Sequence, residues 1–240
     1  MVGGPLPARA AQATDVRRMF GAIAPRYDLL NHLLSLNQDR AWRRAAIDRL
    51  LDSSPGTGIY LDACAGTFDL AVELADRAGF TGTVLAFDFA FAMLLAGRAK
   101  LRGRRILPAC ADALRQPIAD ASVDGAMVAF GVRNLSDLDE GLRELARVVR
   151  PGGRLVILEF RTPDWQPFRA LYLWYFRRIL PRVGRMISRH ESAYSYLPMS
   201  VLAFPEPPEL AQRLTAAGFA DVRWESMTGG IVAIHTGERT

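Results

Sequence analysis

Gly66 and Thr67 stand in the string Tyr60-Leu61-Asp62-Ala63-Cys64-Ala65-Gly66-Thr67-Phe68-Asp69-Leu70-Ala71, and two acids, Asp88 and Asp112, close later apolar runs. A glycine at such a turn lets the backbone approach a ligand that a Cβ would meet. Thr67 offers a hydroxyl and a backbone N–H near the start of the next helix, an end that favours a carboxylate or phosphate. Asp88 is placed to accept hydrogen bonds from both hydroxyls of a ribose. Asp112-Ala113 is placed to clamp an adenine edge. Together these residues outline a nucleotide-type cofactor site.

The cofactor class can be narrowed. A GxGxxG pyrophosphate fingerprint is absent. The turn has one glycine, no phosphate-binding lysine, and Phe68 where a further glycine is expected. A cationic, monoadenosyl cofactor suits it better than a dinucleotide. The plain alternative is that Gly66 only permits a tight turn and Asp88 only caps a helix. The ordered set of strand, turn, acid and second acid argues against it.

These residues need elements to hold them. Residues 14–51 read as helical, with Thr14 or Asp15 as a cap, an apolar stripe at Met19, Phe20, Ile23 and Ala24, and an interruption at Pro25. Strands follow over 58–62, 83–88, 105–111, 123–130 and 154–160. Helices lie between them, the first running to Ala78 and others over 91–101 and 138–149. Pro151-Gly152-Gly153 turns the chain into the fifth strand. Such alternation predicts a parallel sheet wrapped by helices. A helix over 206–217 and two strands, 220–226 and 230–235, come last. The short turn between those strands predicts antiparallel pairing. Seven strands ending in an antiparallel hairpin form the expected layout of a class I methyltransferase, Rossmann-like; a dehydrogenase domain would continue parallel. We expect a loose tail over 1–13 and a single domain over 14–240, with a helical cap (14–52) and an insertion (161–204) before the last helix.

The resemblance to a known family runs from about residue 16 to 237. Met19-Phe20, Ile23-Ala24, Arg26-Tyr27-Asp28, Asn31, Ser35, Asp39 and Trp42-Arg43 carry it near the start. Phe130-Gly131-Val132-Arg133-Asn134, Arg150-Pro151-Gly152-Gly153-Arg154-Leu155, Leu158-Glu159-Phe160, Tyr194, Tyr196-Leu197, Ser200, Phe204-Pro205, Ala217-Gly218-Phe219 and Gly230-Ile231-Val232-Ala233-Ile234-His235 carry it onward. The chain resembles the ubiquinone/menaquinone biosynthesis C-methyltransferases. That resemblance implies S-adenosyl-L-methionine as cofactor and a polyprenylated hydroquinone as substrate, most simply demethylmenaquinol converted to menaquinol. It implies Thr67, Asp88, Asp112 and Ala113 as cofactor contacts, and Asp62, Gly66, Phe89 and Phe130 complete the expected cofactor set. The family's turn runs close to A-C-G-T-G-D, so here cysteine and alanine exchange places and Phe68 replaces glycine. Asn37 replaces another family glycine.

Methylating a ring carbon needs electron density there, which a hydroquinone or its phenolate supplies. The protein must align carbon, methyl and sulfur and help remove a phenolic proton. Arg133 stays charged and is a poor base. It is expected to stabilise a phenolate or order a water, while Asn134 hydrogen-bonds a ring oxygen. Tyr27, Asp28 and Tyr194 are candidates to close the site or relay the proton. The plain reading pairs Arg133 with a carboxylate and makes Asn134 a cap.

Composition sets the remaining bounds. The chain has 240 residues, half of them hydrophobic, and a net charge of +5. Its two cysteines and three scattered histidines give neither a disulfide framework nor a metal spacing. No secretory signal and no run of about 18–20 apolar residues is present, so a cytoplasmic location is expected. Between Trp165 and Ile187, aromatic residues interleave with Arg169, Arg177, Arg178, Arg182 and Arg185, and Arg189 follows. This segment reads either as a buried helix or as an interfacial one docking on anionic lipid at the inner face of the membrane. A second copy of the chain is a further candidate partner. Nucleic acid is not expected, because the basic residues do not line an aromatic stacking groove. Two other functions stand beside the lead: a methyltransferase for another aromatic or lipid-like metabolite, and a non-catalytic cofactor-binding scaffold.

Overall fold

The computed structural model describes residues 9–52, 54, 56–179 and 191–240. Seven strands form one sheet: β1 (Ile59–Ala63), β2 (Thr83–Asp88), β3 (Ile106–Cys110), β4 (Val123–Ala129), β5 (Val149–Phe160), β6 (Phe219–Met227) and β7 (Val232–Arg239). Their spatial order is β3-β2-β1-β4-β5-β7-β6. The first five are parallel, and β7 runs antiparallel to β5 and β6. The expected sheet and its terminal hairpin are both present.

Nine helices are described: α1 (Arg9–Ile23), α2 (Tyr27–Leu34), α3 (Gln38–Leu51), α4 (Asp69–Ala75), α5 (Phe91–Gly97), α6 (Leu138–Val148), α7 (Gln166–Trp174), α8 (Glu191–Ala203) and α9 (Pro207–Ala216). Pro25 opens a short 3-10 turn between α1 and α2, as its fixed φ and missing N–H favour. The Asp137 side chain caps α6 by accepting the Glu140 N–H at 3.0 Å.

The central strands β1, β2, β4 and β5 are buried on both faces over most of their length, so their alternate residues feed two cores. Tyr60, Val84, Met127 and Val156 face Ile47, Leu50, Phe68 and Leu74 on α3, α4 and their turn. Leu61, Leu85, Val128 and Ile157 face Leu142, Leu145, Leu210 and Leu214 on α6 and α9.

Two expectations are corrected. Helix α1 begins at Arg9, so residues 9–13 are helical rather than tail. Pro151-Gly152-Gly153 lies inside β5 as a bulge, not before it. The ladder jumps from Val123–Val149 to Gly125–Arg154, and Gly152, at φ 74°, makes the bend. Leu180, Arg182, Arg185, Ile187 and Arg189 lie outside the described residues.

Candidate active site

Strand order reverses between β1 and β4, which opens a crevice beyond the carboxyl ends of the strands. A cavity of about 80 Å³ lies there, lined by Gly66, Asp88, Phe89, Asp112, Ala113 and Phe130 among others. Among the described residues its lining holds two carboxylates and no lysine or arginine. That polarity suits a nucleoside bearing a cation and opposes one bearing phosphates.

Asp88 organises the floor. One carboxylate oxygen accepts the Gly66 N–H and the other the Ala90 N–H, each at 2.8 Å. Burial pushes its carboxyl above the usual range, and the two N–H groups oppose that shift. Each oxygen keeps a lone pair for a ribose hydroxyl. Asp112 Oδ1 accepts the Leu114 N–H at 2.9 Å, closing an Asx turn that presents Ala113.

Gly66 sits at φ 54°, and a Cβ there would meet only Met93 Cε, at 3.5 Å. Its requirement comes from the left-handed backbone, not from crowding by the protein. The crowded glycine is Gly131, where a Cβ would lie 2.4 Å from the Cys64 Cβ. Close contact between the β1 and β4 loops, unread in the sequence, therefore sets that wall.

Other expected cofactor residues serve the frame. Asp62 is buried and accepts the Ala71 N–H at 3.0 Å, fastening α4 to the sheet. Burial pushes its carboxyl well above the usual range. The Thr67 hydroxyl donates to Asp28 Oδ1 at 2.5 Å, and Asp28 Oδ2 pairs with Lys100 Nζ at 2.6 Å. Both side chains are thus spent tying α2 to the β1 turn, and neither lines the cavity. Phe68, at φ 72°, is fully buried in the core and turned away from the cavity.

A second cavity of about 460 Å³ shares Phe20, Tyr27 and Phe130 with the first. Its walls are mostly aromatic and aliphatic, including Leu30, Trp42, Phe160 and Phe176. Trp42 Nε1 donates to the Thr228 hydroxyl at 2.7 Å, joining the N-terminal cap to the β6–β7 turn. Arg133 lines this cavity, and Tyr27 lies where the two cavities meet. Burial raises the Tyr27 phenol, so it is a hydrogen-bond donor at neutral pH.

The sequence model of the ubiE/COQ5 methyltransferase family matches residues 8–239. A demethylmenaquinone methyltransferase of Deinococcus radiodurans is 46% identical over 226 residues, covering 93% of this chain and 92% of that one. A demethylmenaquinone methyltransferase of Thermus thermophilus is 48% identical over 223 residues, covering 92% of this chain and 100% of that one. The chain belongs to the ubiE/COQ5 methyltransferase family.

Among solved structures, the [4+2]-cyclase SpnF overlays with a TM-score of 0.68 at 15% identity, covering 93% of this chain and 94% of SpnF. That likeness concerns the fold alone, since the same architecture there serves a cyclase. The ubiE/COQ5 membership establishes the class: the chain is a methyltransferase whose cofactor is S-adenosylmethionine.

Within this ubiE/COQ5 member, Arg133 has a partner that sequence reasoning left unassigned. Its Nη1 donates to Glu159 Oε1 and to the Phe130 carbonyl, each at 2.6 Å. Burial raises the Glu159 carboxyl, against the pull of Arg133. The available signal was an acid inside the apolar run of β5. Asn134 lines the smaller cavity, but its amide is engaged: Nδ2 donates to the Phe130 carbonyl at 3.3 Å and Oδ1 accepts the Tyr196 hydroxyl at 3.1 Å. Tyr194 is placed on α8, and its side chain lies outside those described. Arg43 pairs with Asp39 and with Asp69, so the acids beside His32 have a cation from the chain itself.

Proposed function

We propose that the chain methylates a ring carbon of a polyprenylated hydroquinone, converting demethylmenaquinol to menaquinol. One observation carries this reading: an acid-lined cavity and a large apolar cavity meet at Phe20, Tyr27 and Phe130. The first suits S-adenosylmethionine, and the second suits an aromatic ring with an apolar tail. The names of the relatives from Deinococcus radiodurans and Thermus thermophilus support the same substrate.

Asp88 and Asp112 would hold the nucleoside, and Gly66 would lie against the methionine end. When bound, the cofactor would supply an activated methyl group, which the ring carbon would take as the methyl–sulfur bond broke and left its electron pair on sulfur. The phenolic proton leaves first. The ring C–H proton then returns the ring to aromaticity by moving to that oxygen through solvent, so one proton is released per turnover. Arg133 stabilises the phenolate through N–H groups that Glu159 does not occupy, and Glu159 keeps the pair neutral before substrate arrives. Tyr27 donates at the junction, and Asn134 fixes Tyr196 rather than the ring. At about 80 Å³ the smaller cavity is below the roughly 300–1,000 Å³ of small-molecule sites. Phe20 and Tyr27 line it from the N-terminal cap, and in this proposal that cap shifts to admit the cofactor.

The apolar rim docks on an anionic bilayer, where the substrate resides. Among the described residues no helix is long and apolar enough to cross a membrane. Contact is therefore peripheral in this proposal, and the protein works at the inner face of the cell membrane.

The test incubates purified protein with methyl-labelled cofactor, under reducing conditions, with short-tailed demethylmenaquinol or its benzoquinol counterpart. Label is expected in the naphthoquinol. Label in neither quinol overturns the reading.

A further inference from the structure

Tyr172 lies on α7 and lines the larger cavity together with Arg133. Its ring stacks on Phe176, with centroids 4.6 Å apart, and packs in one cluster with Ile23, Leu30 and Val201. These neighbours are apolar. The residue is 6% exposed, and its hydroxyl has no hydrogen-bond partner among the described residues. Such orphans are rare, because burial forfeits a hydrogen bond to water and nothing replaces it. A phenylalanine would pack in the same place without that cost. Arg133 Nε is a second buried donor without a partner on the same cavity.

Two unpartnered donors on an apolar cavity match what a hydroquinone brings: two aryl oxygens on an otherwise apolar ring and tail. Burial pushes the Tyr172 phenol upward, against the attraction of the Arg133 charge and with the repulsion of Glu159. The hydroxyl therefore keeps its proton at neutral pH and acts as a donor, not a base. A donor fixed in an apolar enclosure favours the ionised form of a phenol that accepts its hydrogen bond, and so raises the share present as the nucleophilic phenolate.

We propose that Tyr172 is a catalytic residue whose hydroxyl donates a hydrogen bond to a ring oxygen of the hydroquinone and so favours that oxygen's loss of its proton, which gives the phenolate whose ring carbon attacks the methyl group. This role rests on the hydroquinone reading above. It gives the cavity a contact that selects a hydroquinone over a hydrocarbon of the same shape.

The experiment compares wild type with Tyr172→Phe on short-tailed demethylmenaquinol with labelled cofactor. The variant is expected to lose about tenfold in kcat/KM, the effect of one lost hydrogen bond to a charged oxygen. The rising limb of its pH–rate profile moves to higher pH, because the bound phenol loses a group that favours its ionisation. Calorimetric affinity for S-adenosylmethionine stays at the wild-type value. The melting temperature stays equal or rises, because an orphaned hydroxyl has been removed. No transfer by wild type overturns the hydroquinone reading and the Tyr172 role with it. Transfer by wild type with an unchanged variant overturns the Tyr172 role alone. A lower melting temperature with the pH profile in place also overturns it, by showing a purely structural hydroxyl.

Discussion

The Arg133 guanidinium meets the Glu159 carboxylate at 2.6 Å, with both side chains almost wholly buried. The pair joins the loop after β4 to the end of β5 and brings a cation to the larger cavity together with its counter-charge. A buried pair adds little stability over apolar residues of the same volume, yet breaking it strands a charge. The pair is better explained by what the cation does than by what it adds to stability.

Arg133→Ala should therefore fail in two ways. Turnover is lost while affinity for S-adenosylmethionine is kept. Stability falls by about 3–5 kcal/mol at neutral pH, because Glu159 is left buried without its cation. The loss has a defined pH dependence. Glu159 is already raised above 4.5 by burial, and removing Arg133 raises it further. A carboxyl with a raised folded pKa binds its proton in the folded state while the unfolded chain has released it, so stability falls as pH rises above about 4.5. Urea melts at pH 5 and pH 8 should show the larger deficit at pH 8. Equal deficits would count against a stranded carboxylate.

Phe68 occupies a backbone conformation that suits glycine, and its ring lies in the core. A Cβ on Gly97 would sit 2.5 Å from the Thr67 carbonyl oxygen and 2.7 Å from the Phe68 Cδ2, so α5 packs closely on the turn and on the ring together. Phe68→Gly should relieve about 1–2 kcal/mol of left-handed strain and lose about 3–5 kcal/mol of burial and packing. Net destabilisation is expected, with cofactor affinity unchanged because the side chain faces away from the cavity. Chemical denaturation and calorimetry measure the two effects separately. A large change in affinity without loss of stability would show that the ring reaches the methionine end.

His235 gives a signal of opposite sign to Glu159. Burial pushes its imidazole down from 6.5 to about 4, and its Nε2 donates to the Pro207 carbonyl at 3.0 Å. The unfolded chain takes up a proton below about 6.5 that the folded chain refuses until about 4, so its stability contribution is complete above that window and lost as pH falls through it. Against His235→Gln, the wild-type advantage should shrink by about 3 kcal/mol between pH 7 and pH 4. The difference between the two proteins isolates this group from the buried carboxyls. A pH-independent difference would mean that the histidine titrates normally.

The alternation of strands and helices was legible, and so were the acids at strand ends, because a parallel sheet delivers every strand end to one crevice; Asp88 and Asp112 followed from that rule. Pairings across the chain were not legible. Thr67 with Asp28, Arg133 with Glu159 and Asn134 with Tyr196 join segments whose contact no local period encodes. Asp62 illustrates the same limit: an acid ending a strand can serve a ligand or hold the next helix, and only the Ala71 N–H decides which. The start of α1 had a local signal in the helix-favouring run Ala10-Ala11-Gln12-Ala13, which the neighbouring prolines and glycines obscured.

The last prediction concerns the mouth of the larger cavity. Leu36 and Trp174 line it while being 79% and 56% exposed, so they mark where the cavity opens. Leu29 and Leu33 are exposed as well, and their spacing puts them on one side of α2. Exposed leucine and tryptophan at the opening of an apolar cavity suit insertion into the boundary between headgroups and acyl chains. Burying a leucine side chain stabilises by about 1.5–3 kcal/mol, so two acidic replacements should weaken docking on anionic vesicles by tenfold or more. Leu29→Glu with Leu33→Glu tests this without touching the cavity lining. Flotation with anionic vesicles should be lost, methylation of a vesicle-embedded long-tailed substrate should fall, and methylation of a detergent-dispersed short-tailed one should persist. Undiminished flotation of the double variant, or no flotation of wild type at low salt, would show that the tail reaches the cavity by another route.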